Sequence, residues 1–454
     1  PNGENQLIMK GDIAHVVSRC GYVAYRGKVL PMEDAKESVS SVVDEMLQDG
    51  MKVIAVAQKN VGQQNQINPA DEADMILVGY LAFFDAPKKT AKMSIEALKR
   101  LKVTPKILTG DQTDVAVSIC RRVGIPSETV LTGAELDEMT DSELSAAVER
   151  AHVFSELTPG QKVRLVSALE QNGHTVGFLG DGINDIPALC EANVGISVDT
   201  AVDAAKDAAD VVLLQKDLGV LEQGILEGRK TFTNMLKYIK ITASSNFGNI
   251  LSIVCASAFL PFLPMTALQL LLLNLLYDVL CIILPWDNVD EEETLSPRDW
   301  SGKTLGRFML SFGPISSLFD IATFLFLYYV LCPMLCGGMT YLHLTDPALQ
   351  LQYVALFQTG WFLESMWTQV LILHFLRTRK IPFLQSRPSA PVMCTTLTGI
   401  ALFTGITFTK AASLFGLTEL PHWYFGFLLI VALLYMLLTT VVKAFYQEKY
   451  RELI

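Results

Sequence analysis

Thr175-Val176-Gly177-Phe178-Leu179-Gly180-Asp181-Gly182-Ile183-Asn184-Asp185 decides how this chain is read. Residues 175–179 have the length and apolar character of a buried strand, and the run breaks at Gly180, where a sharp turn is permitted. A strand ending in Gly-Asp-Gly sets carboxylates at the carboxyl edge of an open α/β sheet, where such folds bind ligands. Asp181 and Asp185 would then meet one hard cation, and carboxylate plus phosphate oxygens are the ligands Mg²⁺ prefers. A bare Gly-Asp-Gly is an ordinary turn; the hexapeptide 180–185 between strand and helix is far more specific.

Upstream the same arrangement recurs. Apolar and amphipathic segments alternate at 75–84, 88–101, 104–108, 114–123, 153–155, 161–171, 175–179, 187–192 and 211–214, which predicts a parallel sheet with helices on both faces. A second strand, Lys106-Ile107-Leu108, runs into Thr109-Gly110-Asp111. The Thr109 hydroxyl and the Gly110 amide are placed to hold a phosphoryl oxygen, as backbone donors at strand-to-helix turns do. Lys162, near the start of a helix after Leu157-Thr158-Pro159, would neutralise charge built up in phosphoryl transfer. Alone, Lys162 is an ordinary surface residue; its spacing from the two Gly-Asp turns singles it out.

The chain has 454 residues, 50% of them hydrophobic and 18% charged, too long for one domain and too apolar for an ordinary soluble one. The average hides two halves, the change falling near Tyr238. Six windows beyond it, 241–260, 267–286, 308–331, 353–376, 392–409 and 422–442, reach the roughly 20 apolar residues that a bilayer-crossing helix needs. Pro261 and Pro264 make the first two a tight hairpin. Arg229, Lys230, Lys237, Lys240, Arg298, Lys303, Arg307, Arg377, Arg379, Lys380, Arg387, Lys443, Lys449 and Arg451 fall on one side of these windows, and Lys410 alone on the other. That bias puts the α/β half and the C-terminus in the cytoplasm.

Polar residues within such windows point to an ion path. Asn246 and Asn249, and likewise Asn274 and Asp278, share a helix face, and a carboxylate with amide and carbonyl oxygens suits Mg²⁺ or Ca²⁺. The asparagines have an equally plain reading as hydrogen-bonding glue between helices. Asp320 and Glu364 are further candidates, with His374 or an arginine near a helix end as an alternative partner. The net charge of −11 argues against a nucleic-acid partner. The eight cysteines lack zinc-like pairing and read as small buried hydrophobes, Cys332 and Cys336 being close enough in sequence for a disulfide in an oxidising compartment. Pro1 to Lys10 shows neither an initiator Met nor a signal core, so the chain is read as a fragment.

These residues carry a family resemblance. Thr109-Gly110-Asp111, Leu157-Thr158-Pro159 with Lys162, and Gly180 to Asp185 stand in the order found in the phosphorylation domain of P-type cation ATPases, a haloacid-dehalogenase-like, Rossmann-type α/β fold. Asp85-Ala86-Pro87-Lys88 resembles the family's Asp-Pro-Pro hinge, departing at Ala86; Lys10-Gly11-Asp12 resembles the Lys-Gly-Ala of its nucleotide-binding domain, departing at Asp12; 51–57 resembles the strand that follows. Residues 240–249, 274–278, 287–291 and 313–320 look most like the magnesium-transporting members. The resemblance implies part of a nucleotide-binding domain at 1–74, a phosphorylation domain at 75–235 and a six-helix transmembrane bundle at 236–454. It implies ATP-driven Mg²⁺ transport into the cytoplasm by a multi-pass plasma-membrane protein. Asp181 and Asp185 would hold catalytic Mg²⁺, with Thr109, Gly110, Asp111, Lys162 and Asn184 at the aspartyl phosphate. Lys10, Gly11 and Asp85 would serve the nucleotide, and Asn246, Asn249, Asn274 and Asp278 would line the path.

The family's phosphorylated Asp lies in an Asp-Lys-Thr-Gly-Thr motif, and neither this motif nor the Thr-Gly-Glu actuator loop occurs here. The chain by itself is therefore expected to be catalytically incomplete, its partner being an N-terminal half of the same protein. Three other readings stay open: a pump for Ca²⁺ or H⁺, a membrane-tethered phosphatase using Asp85 as nucleophile, and a non-catalytic remnant.

Overall fold

The computed structural model describes residues 5–48, 51–62, 68–83, 87–298, 300–451 and 453. Asp85 and Ala86, read above as part of a hinge, lie outside the described residues. The chain divides into two compact units, Pro1–Gly224 and Ile225–Ile454.

The first unit opens with a five-stranded mixed sheet in the order Asn5–Gly11, Lys52–Gly62, Met75–Phe83, Cys20–Tyr25, Lys28–Pro31. Ala55 and Ala57 on one strand, and Met75 and Leu77 on the next, point into a core shared with Val16, Val23 and Met32, the period of two that a half-buried strand requires. The sequence reading placed 75–84 at the start of the following parallel sheet. It belongs instead inside this first sheet, antiparallel to Lys52–Gly62 and parallel to Cys20–Tyr25. The reason is visible in its outer face, where Val78, Leu81 and Phe83 are exposed, unlike a parallel strand covered on both sides.

Two three-stranded parallel sheets follow, ordered Ile107–Leu108, Val153–Ser155, Val130–Thr132 and Val211–Leu213, Val194–Val198, Gly177–Leu179. Helices Pro159–Gln171 and Ile186–Glu191 pack Val166, Ala188 and Leu189 against Phe178, Ile196 and Val198. This is the α/β architecture expected. The reading missed the strands Val130–Thr132 and Val194–Val198 and the helices Gly133–Glu138 and Asp141–Arg150. Both helices announce themselves by capping boxes, Thr132 with Glu135 and Thr140 with Glu143, the Thr-x-x-Glu pattern that satisfies the free amides of a first turn.

The second unit is helical. Its long helices are Leu218–Ser257, which begins in the first unit, Ala267–Ile283, Gly302–Phe326, Pro347–Leu376, Ala390–Ile406 and His422–Tyr450, one at each of the six windows. Among the described residues three segments, Ala267–Trp286, Gly302–Leu335 and His422–Tyr450, are long and apolar enough to cross a membrane. Ala390–Ile406 is apolar but shorter. Pro347–Leu376 carries Gln358, Glu364, Gln369 and His374, all buried; a helix surrounded by others can keep polar groups that a lipid-facing one cannot. His422–Tyr450 shows the outer pattern, with Leu429, Ile430, Leu433, Leu434 and Leu437 exposed and Tyr424, Leu428, Val431 and Tyr435 buried. Cys332 and Cys336 are both free and buried, so the disulfide is not formed.

Helix ends are tied together at Asp287. Its Oδ2 accepts from Arg377 Nε at 2.8 Å and Lys237 Nζ at 3.3 Å, and its Oδ1 from the Ser389 amide at 3.1 Å. Asn234 donates to the carbonyl oxygens of Pro285 and Asp287. All three charged side chains are buried, and burial holds the Lys237 ammonium down to about 8 despite the pull of Asp287. Removing one partner of a buried, hydrogen-bonded ion group leaves uncompensated charge and costs about 3–5 kcal/mol. Asp287→Ala is therefore expected to destabilise the protein by about that amount, read as a lowered melting temperature of the purified protein; a wild-type melting curve would show that these helix ends are held by other contacts.

Candidate functional site

The site is built where the strand Gly177–Leu179 ends. The Gly180 amide donates to the Ile196 carbonyl at 3.0 Å, and Ser197 Oγ donates to the Gly180 carbonyl at 3.0 Å, so the turn is pinned to the neighbouring strand. The chain then folds back through the 3₁₀ turn Ile183–Asp185. A Cβ on Gly180 would stand 2.5 Å from Asp185 Cβ, closer than packed carbons allow. Asp185 thus lies over the strand end, and its Oδ2 accepts from the Gly182 amide at 3.3 Å.

Each carboxylate faces an ammonium. Lys162 Nζ donates to Asp185 Oδ1 at 2.7 Å, and Lys216 Nζ to Asp181 Oδ2 at 2.6 Å. Lys162 is only 8% exposed, which separates it from the surface lysine it would otherwise be. Its helix, Pro159–Gln171, starts on a capping box made by Thr158 and Gln161. That start is stitched to the other Gly-Asp turn: the Leu157 amide donates to the Thr109 carbonyl and the Glu156 amide to the Asp111 carbonyl, each at 3.0 Å. Lys162 therefore links the two turns that the sequence picked out separately. Thr109 Oγ1 donates to Asp111 Oδ2 and accepts from the Asp111 amide, both at 3.0 Å. Gly110, Asp111 and Asn184 are exposed beside them.

Lys216 escaped the sequence reading. It follows the strand Val211–Leu213, so the signal was its place at a carboxyl edge of the same parallel sheet. Its loop is fastened on both sides: Lys88 Nζ donates to the Lys216 carbonyl, Thr90 Oγ1 to Asp217 Oδ2 at 3.1 Å, and the Gly219 amide to Asp217 Oδ1 at 2.7 Å. The Gly219 amide foremost, then Thr90 and Lys88, hold the Asp217 carboxyl below its ordinary range.

Other predicted residues lie elsewhere. Lys10 and Gly11 end the edge strand of the five-stranded sheet, where Asp12 caps the helix Ile13–Val17 through the His15 amide; this capping explains an acid in place of alanine. Asn246, Asn274 and Asp278 are exposed on the helical unit, and Asn249 Oδ1 accepts from Gln369 Nε2 at 2.9 Å. Asp320 and Glu364 pair with each other, not with His374, which lies 3.1 Å from Thr396 Oγ1, nor with Arg377, which is taken by Asp287.

The haloacid dehalogenase-like hydrolase family model matches residues 14–193, and the model for the C-terminus of cation transporting ATPases matches 262–445. A magnesium-transporting ATPase, P-type 1, of Salmonella typhimurium is 46% identical over 448 residues, covering 98% of this chain and 48% of the relative. The chain belongs to the P-type cation-transporting ATPases. The corresponding P-type 1 protein of Escherichia coli K12 is 45% identical over the same length, whereas calcium-transporting ATPase 1 of Bacillus cereus is 32% identical over 275 residues, 60% of this chain. The chain thus spans about half the length of the curated P-type relatives it matches.

In this P-type ATPase chain the fit at Gly180 is a checkable constraint. Gly180→Ala must push Asp185 off the strand end, an overpacking that costs about 1–3 kcal/mol. Thermal unfolding should show that loss; an unchanged midpoint would mean that the turn yields freely.

Proposed function

We propose that this chain works within an ATP-driven membrane cation pump whose cargo is Mg²⁺. The observation that carries the reading is the pair Asp181 and Asp185 at one sheet edge, each with an oxygen against an ammonium, in a chain similar over nearly its whole length to magnesium-transporting relatives. Among the described residues no three His, Cys, Asp or Glu groups converge. Two carboxylates are nevertheless what Mg²⁺ uses when phosphate and water complete its shell, so the residues fit that ion. Bound there, Mg²⁺ would offset the negative charge of a phosphoryl group. Lys162 would orient Asp185 and add positive charge; the Thr109 hydroxyl, the Gly110 amide and Asn184 would hold phosphoryl oxygens, with Asp111 positioning Thr109. Lys10 and Gly11 would contact ATP.

Asn246, Asn249, Asn274 and Asp278 would line the cation path. The exposed face bearing Asn246, Asn274 and Asp278 would then be covered by helices from the half of the relatives' length that this chain does not span. The one-sided Lys and Arg distribution supports a multi-pass protein with six spans, its α/β unit and C-terminus facing the cytoplasm, in the plasma membrane.

Two variants of the intact pump, reconstituted in lipid, test the reading. Asp278→Asn is expected to lose Mg²⁺-stimulated ATP hydrolysis with nucleotide binding unchanged, and unaltered stimulation would remove Asp278 from the path. Asp185→Asn should reduce phosphorylation by about 10²-fold or more, the scale of losing one preorganised electrostatic partner, whatever cation is carried; normal phosphoenzyme levels would refute its role.

A further inference from the structure

The helical unit buries a second pair of acids. Asp320, on Gly302–Phe326, is 2% exposed and Glu364, on Pro347–Leu376, 1% exposed, and their carboxyl groups lie side by side. Asp320 Oδ1 accepts from Trp361 Nε1 at 2.7 Å, and its Oδ2 lies 2.6 Å from Ser252 Oγ. Ser252 Oγ also reaches the Gly248 carbonyl at 2.9 Å. Glu364 Oε2 is buried with no partner, and so is Thr323 Oγ1, three residues beyond Asp320 on the same helix face. Among the described residues the buried cations of this unit are committed elsewhere: Lys237 and Arg377 to Asp287, Lys240 to the Leu453 carbonyl, and Lys443 to the carbonyls of Phe375, Thr378 and Lys380. The titratable groups facing the acids from His422–Tyr450 are the phenols of Tyr424 and Tyr435.

Protons can be counted from these contacts. Ionised carboxylates only accept hydrogen bonds, so two of them buried side by side can bond to each other only if at least one holds a proton. A metal ion is disfavoured by the same geometry. Both Asp320 oxygens are met by an N–H or O–H group where a cation would have to sit, and among the described residues no third His, Cys, Asp or Glu joins the pair. Burying two unneutralised carboxylates side by side would cost far more than the fold can supply.

We propose that Asp320 and Glu364 form a proton-binding site within the helical unit, the Glu364 carboxyl donating to Asp320, with a proton in the place where a second cation would otherwise be needed. Glu364 is the donor because Asp320 already faces two others. The site uses none of the residues proposed above for Mg²⁺, phosphate or the cation path, and its reading does not depend on which cation is carried.

Infrared spectroscopy of the purified full chain in lipid at neutral pH tests this directly. The wild type should show the C=O stretch of a protonated carboxylic acid, moved by exchange into D₂O, and Glu364→Gln should lose that band. The glutamine amide can donate where the carboxyl did, so Glu364→Gln should melt with the wild type while Glu364→Ala melts lower. A wild-type spectrum with no protonated-acid band overturns the proposal without recourse to any variant. A band that persists in Glu364→Gln overturns it as well. So does a rise in wild-type melting temperature on adding Mg²⁺ or Ca²⁺ that Glu364→Gln abolishes, since the pair would then be a metal site. None of these readouts involves ATP hydrolysis, so they are distinct from a failure of the pump reading.

Discussion

Asp287 carries a full charge where water does not reach, and the ends of several helices are arranged around that fact. Lys237 comes from Leu218–Ser257, Arg377 caps Pro347–Leu376, and Ser389 caps Ala390–Ile406. A carboxylate without solvent must be met by cations, by hydrogen-bond donors or by a proton. Asp287 has the first two, from partners separated by as many as 150 or so positions, so the helices that bring them cannot drift independently. The same rule governs the other enclosed acids. Asp185 has Lys162, and Asp320 has an indole, a hydroxyl and Glu364.

Rigid packing between helices supports this arrangement. Gly248 and Gly313 let Leu218–Ser257 and Gly302–Phe326 approach so closely that a Cβ on Gly248 would lie 2.8 Å from the Gly313 carbonyl. That approach brings Ser252 within reach of Asp320, since Ser252 lies one turn beyond Gly248 on the same face. In helices read as membrane-crossing, small residues at a crossing are the ordinary means of close contact. In the first unit glycine has the corresponding task at Gly180, where the missing side chain leaves room for Asp185.

The α/β site gathers side chains that follow three different strands. Thr109 follows Ile107–Leu108, Asp181 and Asp185 follow Gly177–Leu179, and Lys216 follows Val211–Leu213. Lys162 arrives on a helix, and it is the residue that joins two of these edges. Parallel strands make this convergence natural, because all their carboxyl ends point the same way and each is followed by a turn with free amides.

Much of this was legible in the residues. The two Gly-Asp turns, the helix bearing Lys162 and the apolar windows are local patterns, determined by turn chemistry and periodicity over a few residues, and the chain alone specifies them. Partnership is not local. That 75–83 joins the first sheet, that Lys216 meets Asp181, that Asp320 meets Glu364 instead of His374, and that Asp278 lies on an exposed face were decided by tertiary structure. An apolar run does not encode which strand lies beside it, and a buried acid does not encode which partner neutralises it; both depend on contacts between segments far apart in sequence, which exist only once the chain has folded.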